Sequence, residues 1–206
     1  MKTIFKPLFG FLCTLLILPF IISHYLLSRL GSADRSLETH SQILSLFPGL
    51  TGSYLRVAFY RFTLEHCAPT ATIGFGVLFS KAEARIGNHV YIGPRCLLGL
   101  VTLEDDVLLG PMVQIPSGPK LHGFERLDIP IRDQPGTPRR ITIGRDSWIG
   151  GGSVVLADIA DQTVVGAGSV VTKPYPPRSI LAGIPAKVIK NRPVAEVAKT
   201  FDLPVP

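Results

Sequence analysis

Residues 141–156 read ITIGRDSWIGGGSVVL. An aliphatic residue returns every six positions, at Ile143, Ile149 and Val155, and the first two are each followed by glycine. A period of six fits neither an α-helix, at 3.6 residues per turn, nor an alternating strand, at 2.0. It fits a solenoid whose coils are built from hexapeptides, each giving one short strand and one turn. The aliphatic side chain points into a narrow core, and the glycine is expected to let the backbone turn sharply. A small residue four places on, here Ser147 and Ser153, fits the tight corner. Stacked coils then pair in parallel and bury a continuous aliphatic column.

The same phase extends outward from this stretch. Upstream stand Ile86-Gly87, Ile92-Gly93 and Leu98-Gly99, then Leu103, Leu109-Gly110 and Ile115. Downstream stand Val165-Gly166 and Val171. The corner positions recur as Val77, Val90, Cys96, Val107, Val113, Ile159 and Ser169. The composition agrees: 20 Gly and 18 Pro in 206 residues favour a turn-rich β fold over a helical bundle. With 46% hydrophobic and only 17% charged residues, the chain is not of the disordered class. Cys13, Cys67 and Cys96 lie far apart with no CxxC spacing, so neither a disulfide framework nor a cysteine zinc site is expected. The net charge of +6 forms no aromatic-laced basic stripe, so nucleic acid is not an expected partner.

Three strings carry a resemblance: ITIGRDSWIGGGSVVL (141–156), VVGAGSVVTK (164–173) and AGIPAKVI (182–189). They resemble the hexapeptide-repeat acyltransferases, and among these the maltose, galactoside and xenobiotic O-acetyltransferases with their exopolysaccharide-modifying relatives. The resemblance covers about residues 70–190. It implies a left-handed parallel β-helix, acetyl-CoA as acyl donor, no metal, a sugar hydroxyl as acceptor, and a homotrimer with sites between neighbouring subunits.

The hexapeptide register breaks between Pro116 and Arg140, in a segment rich in Pro and Gly. A solenoid can extrude such a loop without disturbing its stack, and long loops in compact folds usually serve function. The family resemblance places a catalytic histidine in this loop, and His122 is the only histidine there. A neutral imidazole near pKa 6.5 suits removal of a hydroxyl proton at neutral pH. Glu125 and Asp128 are candidates to orient His122 or to bind sugar hydroxyls. Arg132, Arg139 and Arg140 are candidates for an anionic acceptor or for CoA phosphates. Trp148 is a candidate wall of the acceptor site. Gly150, Gly151 and Gly168 lie in small-residue runs along which a pantetheine arm could lie. A backbone N–H of the Gly150–Gly152 run is the expected oxyanion donor. Lys173 and Lys187 are candidate phosphate contacts.

The amino-terminal stretch 7–28 contains no Asp, Glu, Lys or Arg. Its 22 residues would reach about 33 Å as a helix, enough for a bilayer core of ~30 Å. Lys2 and Lys6 precede it while Arg29 and Arg35 follow, so flanking charge gives little orientation. A signal peptide, a simple span, and a helix broken at Pro19 that dips into one leaflet are the competing readings; the last is preferred. A span with Lys2 and Lys6 inside would separate the solenoid from its cytosolic donor, whereas a span with its amino terminus outside would not. Residues 36–66 read as a second element, in which Leu50, Tyr54, Leu55, Ala58, Phe59 and Phe62 form a stripe flanked by Arg56 and Arg61. That pattern suits a membrane surface or a helix capping the following domain.

The expected division is membrane-associated helices over 1–66, the β-helix over 67–190 with its loop at 116–140, and a tail over 191–206. The expected activity is O-acetylation of a lipid-linked saccharide or cell-surface polysaccharide precursor, at the cytoplasmic side of a bacterial inner membrane. An N-acetyltransferase acting on an amino sugar is the nearest alternative. A non-catalytic membrane scaffold conflicts with the presence of His122. A metal enzyme like the γ-type carbonic anhydrases needs an HxxxxH pair that the sequence lacks.

Overall fold

A computed structural model describes residues 2–193, so most of the expected tail, 194–206, lies outside the described residues. Three helices come first: α1 (Lys2–Leu30), α2 (Ala33–Ser45) and α3 (Gly49–Thr63). From His66 onward the chain winds into a three-faced parallel solenoid of about six coils.

The first face stacks His66–Cys67, Arg85–Ile86, Val101–Leu103 and Ile141–Ile143. The second stacks Thr72–Ile73, Tyr91–Ile92, Leu108–Leu109, Trp148–Ile149, Val164–Val165 and Ser179–Gly183. On this last strand Ala186–Asn191 folds back antiparallel and closes the stack. The third face stacks Leu78–Phe79, Leu97–Leu98, Gln114–Ile115, Val154–Val155 and Val170–Val171. The six-residue period is thereby the length of one face plus one corner. Each aliphatic residue of the repeat points inward. Ile73, Ile92, Leu109, Ile149, Val165 and Leu181 form one buried column, and Phe79, Leu98, Ile115, Val155 and Val171 another.

The glycine of the hexapeptide has a different role from the one expected. Gly87, Gly93, Gly110, Gly144 and Gly150 are not among the residues with positive φ. A Cβ at Gly150 would stand 2.5 Å from the Ala167 nitrogen, and one at Gly110 would stand 2.6 Å from the Gly151 nitrogen. These glycines permit close approach of successive coils. The left-handed backbone falls two or more residues later, at His89, Arg95, Asp106, Met112 and Asp146, as well as at Gly152 and Gly168. Where serine replaces an aliphatic corner residue, its hydroxyl bonds to the neighbouring coil. Ser147 donates to the Ala160 carbonyl (3.2 Å) and Ser153 to that of Gly166 (3.0 Å).

The helices cover the open end of the first coil. The α3 stripe turns inward: Val57, Ala58, Phe59 and Tyr60 are buried, whereas Leu50 and Phe62 face outward. Arg56 does not flank a membrane surface. It is buried, and its guanidinium donates to the carbonyls of Leu44 (3.1 Å), Phe47 (2.7 Å) and Ile73 (3.1 Å). These bonds tie α2, the α2–α3 turn and the first coil together. Of the two readings of 36–66, capping therefore describes α3. The break expected at Pro19 does not occur, since α1 is helical through it. A proline removes one backbone donor but does not oblige a helix to end when its neighbours hold it.

Candidate active site

The register break is a loop that leaves the third face after Ile115 and re-enters the first face at Ile141. Pairing closes beneath it, Ile141 lying opposite Val101 and Ile143 opposite Leu103. Two backbone bonds fasten the root: Thr137 N–H to the Lys120 carbonyl (2.7 Å) and Arg139 N–H to that of Ser117 (2.9 Å). Arg139 pairs with Asp158 at 3.0 Å. Arg140 pairs with Glu65 at 2.9 Å and donates to the Glu83 carbonyl at 2.7 Å. Both arginines, candidates for substrate anions, thus anchor the loop. Arg132 is exposed, 3.6 Å from Asp133.

Three residues that the sequence analysis did not single out shape the backbone around His122. A Cβ at Gly136 would stand 2.1 Å from the Leu121 oxygen and 2.8 Å from the His122 nitrogen. A Cβ at Gly123 would stand 2.9 Å from the Pro135 oxygen. The two limbs of the loop therefore cross in contact at His122. Gln134, the one buried side chain of the distal limb, clamps the tip. Its amide donates to the carbonyls of Arg126 (2.6 Å) and Ile129 (3.2 Å) and accepts from the Arg126 N–H (3.1 Å). No periodic signal marks a residue of this kind.

His122 is exposed on this fixed backbone, and among the described residues nothing hydrogen-bonds its imidazole. Glu125 and Asp128 do not orient it. The backbone N–H groups of Glu125 and Phe124 hold the Glu125 carboxyl below the usual carboxylate range. The Arg126 guanidinium, 3.0 Å away, does the same for Asp128. Both carboxylates are ionised and engaged locally. An apolar set, Phe124, Leu127 and Ile131, stands exposed beside them.

Trp148 is half exposed on the outside of the second face. The loop springs from the edge between the third and first faces, opposite that face. The root of the His122 loop and Trp148 therefore stand on different sides of the solenoid. Gly150, Gly151 and Gly168 lie on a further edge, between the second and third faces. There the N–H of Gly150 donates to Val165, that of Gly152 to Pro111 and that of Gly168 to Gly151. Among the described residues, the N–H groups of Gly151 and Ala167 find no acceptor within the chain. Of the run Gly150–Gly152, Gly151 is thus the residue whose N–H is left open on this edge. Lys173 and Lys187 are exposed, and the Lys173 ammonium lies 5.6 Å above the ring of Tyr175.

The three cysteines are free and buried. Burial pushes the thiol of Cys67 up to about 12 and that of Cys96 to about 11, while that of Cys13 is also raised. None supplies an accessible thiolate. An open cleft of about 630 Å³ lies elsewhere, on the first face among Glu65, His66, Arg85, Thr102, Glu104 and Arg145. Its lining includes no expected site residue.

No family model matches the chain. A galactoside O-acetyltransferase of Escherichia coli (strain K12) is 39% identical over 94 residues, covering 44% of each chain. A putative lipopolysaccharide biosynthesis O-acetyl transferase of the same strain is 31% identical over 128 residues, covering 57% of this chain and 62% of that one. The chain spans about half the length of the curated relatives it matches. Among solved structures, a maltose O-acetyltransferase from Clostridium difficile 630 superposes with a TM-score of 0.64 at 23% identity, covering 77% of this chain and 87% of that one. A hexapeptide-repeat acetyltransferase from Vibrio cholerae O1 biovar eltor, solved with acetyl coenzyme A, gives 0.53 at 25% identity, covering 77% and 87%. The chain thus shares the fold of hexapeptide-repeat acetyltransferases and is similar in sequence to O-acetyltransferases over about half its length.

Proposed function

We propose that this protein is an acetyl-CoA-dependent O-acetyltransferase acting on a sugar hydroxyl, with a lipid-linked saccharide or polysaccharide precursor as acceptor. The observation that carries the reading is His122, held outward where the two limbs of the loop cross. In this mechanism His122 takes the acceptor hydroxyl proton as the oxygen attacks the thioester carbonyl. The C–S bond then breaks, and the imidazolium gives the proton to the departing CoA thiolate. The N–H groups of Gly151 and Ala167 would receive the oxyanion or the pantetheine amides. Lys173 and Lys187 would meet the CoA phosphates, and Trp148 the sugar ring. The acceptor itself is the nucleophile, so the buried thiols have no part in it.

The root of the His122 loop, Trp148 and the glycine edge lie on different sides of one solenoid, an arrangement suited to a site completed by a second copy. This supports the homotrimer, and the exposed Phe124, Leu127 and Ile131 are suited to cover a neighbouring subunit. The donor places the solenoid at the cytoplasmic side of a membrane, a bacterial inner membrane in this reading, with residues 1–66 as its anchor. Free thiol should appear when the full chain is given acetyl-CoA and a panel of membrane-extracted glycolipids, with an acetyl product labile to mild alkali. An alkali-stable product would instead mean N-acetylation, and no acceptor-dependent thiol would remove the proposed acceptor class.

A further inference from the structure

We propose that α1 lies in the plane of the membrane, in one leaflet, and does not cross it. The inference rests on the membrane reading above and adds the geometry of attachment.

Length and composition alone would allow a span over Phe9–Leu30. What α1 is packed against does not. Its inner stripe, Cys13, Ile17, Ile21 and His24, is buried on α2 and α3. Contact with α3 runs from Phe9, against Tyr54 with ring centroids 5.1 Å apart, to Tyr25, whose hydroxyl donates to the Phe62 carbonyl. That is about 24 Å of helix, most of a bilayer core. Contact with α2 runs antiparallel, from the His24 ring on Ser36 (3.0 Å) to Phe20 on His40 (centroids 6.2 Å).

The helix α2 is itself fastened flat on the solenoid end. Asp34 pairs with Lys81 (2.7 Å) and accepts from the Ala82 N–H (2.9 Å). Ser41 accepts from the Phe79 N–H (2.9 Å), and the Ser45 carbonyl from that of Gly76 (3.0 Å). The order is therefore solenoid, then α2 with α3, then α1 as the outermost layer. If α1 crossed a bilayer, α2 would sit beside it at the same depth. Its exposed Arg35, Glu38 and Gln42 would then face hydrocarbon, where ionised side chains are costly.

The outer face of α1 shows the opposite character. Leu12, Leu15, Leu16, Ile22, Leu26 and Leu30 are each about half exposed or more, between 47% and 85%. Three polar groups on this helix are turned inward or satisfied locally. His24 faces Ser36, the Thr14 hydroxyl bonds to the Gly10 carbonyl (2.9 Å), and that of Ser28 to the Tyr25 carbonyl (2.9 Å). Leaving out the buried Arg56, residues 1–63 carry five Lys and Arg against two Asp and Glu, a balance complementary to anionic headgroups. An apolar outer face with the charged layer behind it fits the surface of an anionic bilayer.

The test uses the full chain in vesicles of phosphatidylethanolamine and phosphatidylglycerol. Spin labels are placed one at a time at Leu12→Cys, Leu16→Cys and Leu26→Cys, the native thiols being buried. Similar shallow depths at all three sites are expected. A depth gradient following the ~1.5 Å rise per residue would overturn the in-plane placement. An epitope added before Met1 should be digested in the same vesicles in which the solenoid is accessible; protection of one and cleavage of the other would overturn it too. The pair Leu16→Asp and Leu26→Asp should release the protein from the vesicles with its circular dichroism unchanged, and retention would contradict the proposal. Failure of the wild type to bind, or its self-association through α1 in place of binding, would overturn both the in-plane placement and the membrane reading.

Discussion

The solenoid and α1 are both strongly apolar, yet they use that character in opposite ways. In the solenoid every sixth residue is buried and the outward positions are polar or mixed. In α1 one stripe is buried and the large side chains left outside, among the described residues, are mostly Leu, Ile and Phe. Periodicity is thus what marks a core, while apolar content alone marks only a preference for leaving water. A residue's neighbours, not its composition class, set the cost of changing it.

Glycine gives the largest contrast. Gly150→Val should destabilise the solenoid by at least about 3 kcal/mol, because its Cβ meets backbone at 2.5 Å and backbone cannot step aside. Gly10→Ala meets nothing within 4 Å and should leave stability unchanged or raise it by up to about 1 kcal/mol. Thermal unfolding of the two variants checks both, and equal effects would erase the contrast.

Arg56 lies where the two regions join. Arg56→Leu keeps apolar volume but strips donors from the carbonyls of Leu44, Phe47 and Ile73. The expected cost is about 3 kcal/mol, read as a lower unfolding midpoint with the helical signal lost first. Gln134→Ala tests the loop instead. Turnover should fall roughly 10- to 100-fold, since small misplacements of a reacting group are costly, while the unfolding midpoint hardly moves.

The smallest effect concerns pH. Burial, and then the neighbouring His40, hold the His24 imidazole below the ordinary histidine value of 6.5. The unfolded chain therefore binds the proton more readily than the folded one. Stability of the helical cap should be full above about pH 6.5 and fall as the pH drops below it. Melting followed by circular dichroism between pH 7.5 and 5 should show the decline, and His24→Gln should flatten it.

Much of this was legible in the sequence. The six-residue phase names inward residues from Ile86 to Val171, though not Phe79 of the first coil or Leu181 of the last, and the break at 116–140 locates the loop with His122. Other features left no periodic trace. Arg56 reads as the flank of a surface stripe, because a charge satisfied by three carbonyls looks no different in sequence from a solvated one. Arg139 and Arg140 read as free cations for the same reason, although Asp158 and Glu65 hold them. Gln134 and Gly136 act across a loop crossing that only the folded chain displays. The continuity of α1 through Pro19 depends on the support of α2 and α3 rather than on the proline itself.

The central claim is that His122 moves the acceptor proton, and it is tested by comparing wild type with His122→Ala in acceptor-dependent release of CoA thiol. A fall of at least ~100-fold, with acetyl-CoA binding and the unfolding midpoint unchanged, is the expected result, since a positioned acid–base group contributes about 10²–10⁴. Equal thiol release from the two proteins would contradict it and remove His122 from the mechanism.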